Sequence, residues 1–239
     1  MYKNMHIVAH RGAEDLHLEN TMTAFQAAAP ADAFELDIHA TADNQVIVIH
    51  DRTAARVAAP DSLHRDTPVA RLSAAQIKEI TLIDGSPVPT LEEVLLQTSL
   101  PIQVEIKSAG AVPAAAALLQ KYPEHLERLL FISFIDAALV EIVDRLPEAR
   151  VGILRDASMD DLRILDYIPL KNVGAILPSW KALNVASIAD LHTKGIKVGC
   201  WTIRDENAFG IAQQAGVDYA TVSDPSRFLA PSPAGELHW

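Results

Sequence analysis

Short apolar, mostly β-branched runs alternate with longer amphipathic, alanine-rich segments from one end of the chain to the other. The short runs suit strands buried on both faces, and the longer segments place their apolar residues at helical spacing. The alternation predicts strands near His6–Ala9, Phe34–Ile38, Ile102–Ile106, Leu129–Ile132, Arg150–Leu154, Val173–Ile176, Ile196–Trp201 and Asp218–Val222. Helices are predicted between them, over Thr23–Ala29, Leu91–Gln97, Pro113–Lys121, Ala137–Arg145, Met159–Tyr167, Val185–Lys194 and Glu206–Ala215, with a short one after Pro225. These make about eight βα units. That is the number that closes a TIM (β/α)8 barrel.

Local signals sharpen some boundaries. Thr90 with Glu93 three residues on reads as a capping box opening a helix, and Gly195 and Gly216 stand where helices should stop. One stretch breaks the rhythm: after a short strand at Val46–Ile49, residues 51–89 are mixed in character, with only Ser73–Ile80 patterned as a helix. This predicts a small insertion after the second strand. Residues 1–229 then form one barrel domain, and the aperiodic residues 230–239 a C-terminal tail.

Composition adds limits. Nearly half of the 239 residues are apolar, enough for a substantial core, and the one cysteine, Cys200, cannot form an intrachain disulfide. The first residues run directly into a candidate motif and do not read as a cleavable signal, and no apolar run approaches the roughly 20 residues of a spanning helix. A cytoplasmic location is the default expectation. The net charge of −11 disfavours nucleic acid, whose binding draws on clustered Lys and Arg. A small anionic substrate remains open to an acidic protein, given a local cation.

In a βα barrel, catalytic groups come from the carboxyl ends of strands and the loops beyond them. His10 and Arg11 end the first predicted strand, Glu35 and Asp37 the second, Glu105 and Lys107 the third and Trp201 the seventh. Residues two apart in a strand share a face, so Glu35 with Asp37 and Glu105 with Lys107 are expected to point inward, leaving Leu36 and Ile106 outward. Carboxylates gathered at one barrel mouth repel by about 4 kcal/mol per close pair at an effective dielectric near 20, so a cation is expected among them. Arginine or lysine could supply that charge. An oxygen-ligated divalent metal, Mg²⁺, Ca²⁺ or Mn²⁺, is the reading preferred here, and a histidine ligand would admit Zn²⁺. His10 and His50 each follow a strand and neighbour a charge. They either cap their strands or serve as base and acid. Arg11 is a candidate for a phosphate oxygen and Lys107 for a second positive charge. Trp201 either walls a glycerol or head-group site or simply packs. His39 shares the parity of Asp37, whereas Cys200, of opposite parity to Trp201, reads as a core thiol rather than a nucleophile.

These residues fall in an order that resembles the glycerophosphodiester phosphodiesterase family. The likeness runs through His10-Arg11-Gly12, Glu19-Asn20-Thr21, Glu35 and Asp37, His50-Asp51, the segment PTLEEVL from Pro89, Glu105-Ile106-Lys107, Ser133-Phe134, Trp201-Thr202 and Asp224-Pro225. The resemblance implies a TIM barrel with an insertion after its second strand. It further implies that Glu35, Asp37 and Glu105 hold a divalent metal, that His10 and His50 are the acid–base pair, that Arg11 and Lys107 contact phosphate, and that Glu19-Asn20 buttress the site. Leu18 stands where the family usually has proline, and the segment after His50-Asp51 lacks the Arg-Thr-Thr type of sequence common there. The implied reaction is hydrolysis of a glycerophosphodiester to glycerol 3-phosphate and an alcohol.

Overall fold

The structure, a computed structural model, describes residues 5–228, 237 and 239. Eight parallel strands close into a barrel: β1 (His6–Ala9), β2 (Ala33–Ala40), β4 (Ile102–Ile106), β5 (Leu129–Ser133), β6 (Arg150–Arg155), β7 (Val173–Pro178), β8 (Lys197–Ile203) and β9 (Tyr219–Val222). Pairing of β1 with both β9 and β2 closes the ring. A short strand, β3 (Val46–Val48), runs antiparallel along the carboxyl half of β2. The architecture is therefore the TIM barrel expected from the eight apolar runs.

Helices α1 (Met22–Ala27), α3 (Leu91–Gln97), α4 (Val112–Lys121), α5 (Asp136–Arg145), α6 (Val185–Thr193) and α7 (Glu206–Ala215) follow their strands. Outward strand residues such as Leu36, Ile106 and Cys200 pack with helix residues in the main core. The interior holds a separate cluster that includes Val8, Leu130, Leu154, Leu177 and Tyr219. Thr90 and Glu93 form the expected capping box on α3, and Gly216 closes α7 with left-handed geometry.

The insertion contains a one-turn helix, α2 (Ala74–Ile77), capped by Ser73 and Gln76, within the segment expected to be helical. It has its own small core of Ala54, Val57, Leu72, Ile80 and Leu82, joined by Ile49 beyond β3 and contacted by Leu18 from the first loop. Among the described residues no helix is long and apolar enough to cross a membrane.

Two expectations change. The helix over Met159–Tyr167 is reduced to a 3₁₀ turn at Arg163–Asp166. Side chains there take up backbone and neighbouring groups: Arg155 Nε donates to the Asp161 carbonyl and Arg163 pairs with the Asp161 carboxylate, while Pro169 limits any continuation. After Pro225 the described residues form a turn and no helix. Most of the expected tail lies outside the described residues. Its last residue, Trp239, is buried against Tyr219 with ring centroids 5.4 Å apart.

Candidate active site

Strand register builds the centre of the site. Asp37 on β2 stands opposite Glu105 on β4, and Glu35 precedes Asp37 by two residues on the same inward face. Ligand oxygens of Glu35, Asp37 and Glu105 lie within 4.8 Å of one another, and all three residues are buried. Glu35 Oε1 and Asp37 Oδ1 are buried without a hydrogen-bond donor among the described residues. Burial, then the charges of Asp37 and Glu105, push the Glu35 carboxyl well above its ordinary range. Burial and Asp37 push Glu105 up to about 7. For Asp37 the order reverses: burial opposes the charge, but Arg11, Lys107, His50 and Asn20 together hold its pKa down. Two acids forced toward neutrality beside orphaned carboxylate oxygens are what a hard divalent cation would relieve, so the donor set fits one.

The polar frame comes from the first loop and from β4. The Arg11 backbone N–H donates to Glu35 Oε2 at 2.9 Å, while its guanidinium lies 3.3 Å from Asp37 and donates to Glu19 at 3.1 Å. Asn20 Nδ2 donates to Asp37 Oδ2 at 2.8 Å. Arg11 and Asn20 both adopt left-handed backbone, with φ of 49° and 56°, and the Asn20 N–H donates to the Arg11 carbonyl at 3.0 Å. Such non-glycine geometry costs about 1–3 kcal/mol and is characteristic of functional loops. Lys107 Nζ lies 2.7 Å from Glu105 and 3.5 Å from Asp37. Burial works against its charge, and the two carboxylates outweigh it.

The two histidines flank this centre. His10 Nε2 is 4.0 Å from Glu35, and its Nδ1 is 2.8 Å from Glu14 Oε1. His50 Nδ1 bonds Asp51 Oδ1 at 2.7 Å. Burial lowers the His50 pKa. His39 Nε2 bonds the His50 carbonyl at 3.2 Å, so His39 steadies the loop rather than facing a ligand.

His10, Arg11, Glu35, His50, Glu105, Lys107 and Trp201 line one cavity of about 180 Å³ at the carboxyl end of the barrel. Asp37 and Glu19 lie outside that lining, Asp37 beside Glu35 and Glu105 and Glu19 on the Arg11 guanidinium. The opposite wall is apolar: Trp201 meets Phe134 edge-on with centroids 5.4 Å apart, above Leu154 and Leu177. Trp201 therefore lines the pocket and also packs, its Nε1 donating to the Leu177 carbonyl at 2.8 Å.

Sequence reasoning did not single out Gln103, Arg204 and Thr221, which also line the cavity. Strand parity could have found Gln103, two residues before Glu105. Arg56 was missed too, since it lies in the irregular insertion. It reaches Glu19 and Asp51. Ser133, by contrast, holds a turn: its Oγ donates to the Ile106 carbonyl.

Fold and site together define a TIM-barrel protein with a buried carboxylate centre, two histidines and paired cations at its carboxyl end. The chain belongs to the glycerophosphoryl diester phosphodiesterase family, whose model matches residues 10–226. It is 25% identical over 240 residues to a glycerophosphodiester phosphodiesterase of Caldanaerobacter subterraneus subsp. tengcongensis, covering 93% of this chain and 96% of that one. A Bacillus altitudinis glycerophosphodiester phosphodiesterase is 28% identical, with 92% and 95% covered. Among solved structures, an Oleispira antarctica phosphodiesterase in complex with its product sn-glycerol-3-phosphate aligns with a TM-score of 0.80 at 22% identity, covering 94% of this chain and 95% of that one. A Thermotoga maritima glycerophosphodiester phosphodiesterase aligns with a TM-score of 0.76 at 23% identity, covering 95% and 98%.

Proposed function

We propose that the protein is a metal-dependent glycerophosphodiester phosphodiesterase that releases glycerol 3-phosphate and an alcohol, with residues 1–229 acting as one catalytic barrel domain. The observation that carries this reading is the convergence of the Glu35, Asp37 and Glu105 ligand oxygens within 4.8 Å, beside two histidines and two cations. Family membership supplies the substrate class, and the Oleispira phosphodiesterase holds the corresponding product.

Glu35, Asp37 and Glu105 would hold the cation, Mg²⁺, Ca²⁺ or Mn²⁺, which when bound neutralises phosphate charge. Arg11 and Lys107 bind phosphate oxygens, and Glu19 with Asn20 keeps Arg11 and Asp37 in place. Trp201 and Phe134 wall the organic part of the substrate. One histidine removes a proton from the attacking hydroxyl, of water or of the neighbouring glycerol carbon, as the new P–O bond forms. The other gives a proton to the alcohol oxygen as its bond to phosphorus breaks. Where the glycerol hydroxyl has attacked, water then adds to the cyclic phosphate and one ring P–O bond breaks, its oxygen taking a proton, to give glycerol 3-phosphate. Both histidines line the cavity, His50 with its Nδ1 on Asp51 and His10 with its Nε2 toward Glu35. The expected cytoplasmic setting suits a single free, buried cysteine.

Hydrolysis of a panel of glycerophosphodiesters, assayed after chelation and re-addition of each cation, tests metal need and substrate class together. Faster turnover of lysophosphatidylcholine than of glycerophosphocholine would replace this reading with a lipid-directed one.

A further inference from the structure

We propose that Arg56, contributed by the insertion, is a positioning residue that locks His50 and Arg11 into one working arrangement by bridging Asp51 and Glu19. The proposal rests on the reading above, in which His50 exchanges protons with the substrate and Arg11 binds its phosphate.

The guanidinium makes three short charge-assisted bonds. Its Nε donates to Asp51 Oδ2 at 2.7 Å, Nη1 to Glu19 Oε2 at 2.6 Å and Nη2 to Glu19 Oε1 at 2.7 Å. The fork on Glu19 is bidentate, the geometry that fixes an orientation as well as a charge. Each carboxylate then reaches a functional group with an oxygen of its own. Asp51 Oδ1 is 2.7 Å from His50 Nδ1, and Glu19 Oε1 also accepts from Arg11 Nη1 at 3.1 Å. An ionised carboxylate only accepts, so His50 carries its proton on Nδ1 and leaves Nε2 as the exchanging atom. One arginine thereby sets the tautomer of a histidine and the pose of the phosphate-binding arginine.

Its backbone is well anchored. Ala54 and Val57 on either side are buried in the insertion core, and the Val57 and Ala58 N–H groups donate to the Ala54 carbonyl at 3.0 and 2.8 Å. Leu18, adjacent to Glu19, packs on the same core. Both ends of the bridge therefore rest on one packed unit, which gives the insertion a role in the chemistry. The Arg56 side chain itself is 47% exposed, and a bond network so close to solvent adds little to folding stability. A positioning role should consequently appear in kcat rather than in melting temperature.

The full chain, loaded with its activating cation, is assayed on glycerophosphocholine as wild type, Arg56→Ala, Arg56→Gln, Arg56→Lys and His50→Ala. The expected result is a loss of kcat of about 10–100-fold in Arg56→Ala, the size of loss seen when supporting partners of metal-ligating side chains are removed. Arg56→Gln should lose a similar amount. Melting temperature should stay near wild type, and added ethylguanidinium should restore part of the lost rate in Arg56→Ala and none in His50→Ala. Arg56→Lys stays impaired, because an ammonium cannot form the fork. Wild-type kcat in Arg56→Ala or Arg56→Gln beside an inactive His50→Ala overturns the bridge while leaving the proposed function standing. Full activity in His50→Ala removes the reading on which the bridge depends. A kcat loss that guanidinium does not rescue and that tracks a fall in melting temperature assigns Arg56 to the scaffold and also overturns the proposal.

Discussion

A Cβ on Gly12 would stand 2.5 Å from the carbonyl carbon of Ala24 and 2.8 Å from its Cβ. The approach lets the Ala13 N–H reach the Ala24 carbonyl at 3.0 Å and the Gly12 N–H reach the Glu35 carbonyl at 3.2 Å, next to the Arg11 N–H that holds the Glu35 carboxylate. With φ at +77°, Gly12 also occupies backbone space that other residues enter at a cost. Overpacking of about 1–3 kcal/mol and a left-handed penalty of about 1–2 kcal/mol add in Gly12→Ala. We expect it to lose roughly 2–5 kcal/mol in denaturant unfolding and to lose activity through displacement of Arg11. A variant of wild-type stability and activity would show that the loop relaxes freely.

The carboxylate centre sets a pH dependence with a definite sign. Without a cation, the Glu105 pKa of about 7, against an ordinary 4.5, means that the folded protein binds more protons than the unfolded chain between those values. Stability of the chelated protein should then fall as pH rises through that window, and Glu35, shifted in the same direction, adds to the fall. A bound cation removes the repulsion, so the melting-temperature difference between loaded and chelated protein should widen over the same pH range. At a cation concentration 100 times its Kd the stabilisation is about 2.7 kcal/mol. Calorimetry in EDTA and in Mg²⁺, Ca²⁺ or Mn²⁺ measures it. In Glu35→Gln the difference should shrink and hydrolysis should be lost. A difference flat in pH would argue against a cation at these three residues.

The barrel and the acidic centre were legible because both follow from a two-residue period. Leu36 and Ile106 pack under the helices while Glu35, Asp37 and Glu105 face inward, as parity requires. Parity also carries Gln103 into the cavity. Contacts made by irregular segments have no such period. Arg56 meets Glu19 across 37 residues of separation, and nothing in the local sequence around either residue announces it. The stretch from Met159 to Tyr167 has helical spacing of apolar residues, yet the short polar side chains of Ser158, Asp160 and Asp161 favour local bonds over a regular helix. His39 shows the limit of parity itself: the strand points it toward the site, and its bond to the His50 carbonyl decides its role.

Cys200 lies under the helices, fully buried, and burial pushes its thiol pKa up to about 12. At pH 8 the thiolate fraction is then about one in 10⁴, and the sulfur has no path to solvent. Native protein should leave an aromatic disulfide reagent unreacted over the time in which urea-unfolded protein releases one equivalent. Cys200→Ser should keep activity but lose stability, because a hydroxyl would be buried among Val198, Ala220 and other apolar core residues. Rapid labelling of the native protein, with one equivalent released, would contradict this placement.

Trp239 closes the amino-terminal end of the barrel. Its ring packs on Tyr219 at the start of β9, its Nε1 donates to the Arg128 carbonyl just before β5 at 2.9 Å, and it belongs to the same interior cluster as Val8, Leu130 and Ala175. The carboxylate centre and histidines lie at the opposite end of the strands. Trp239→Ala should therefore separate stability from catalysis. Emptying a buried tryptophan site costs about 3 kcal/mol at the lower end of its usual range. At about 2–4 °C per kcal/mol for a chain of this size, the melting temperature should drop by roughly 6–12 °C. Below the shifted transition, kcat and KM on glycerophosphocholine should match wild type, since the Tyr219 and Arg128 contacts of the indole lie at the end of the strands opposite the catalytic cavity. A variant that melts like wild type would mean that Trp239 rests on the barrel without sealing it. A fall in kcat at temperatures where the variant is fully folded would mean that the interior layer transmits the loss to the site, and would tie Leu154 and Leu177, beneath the aromatic wall, to the positioning of substrate.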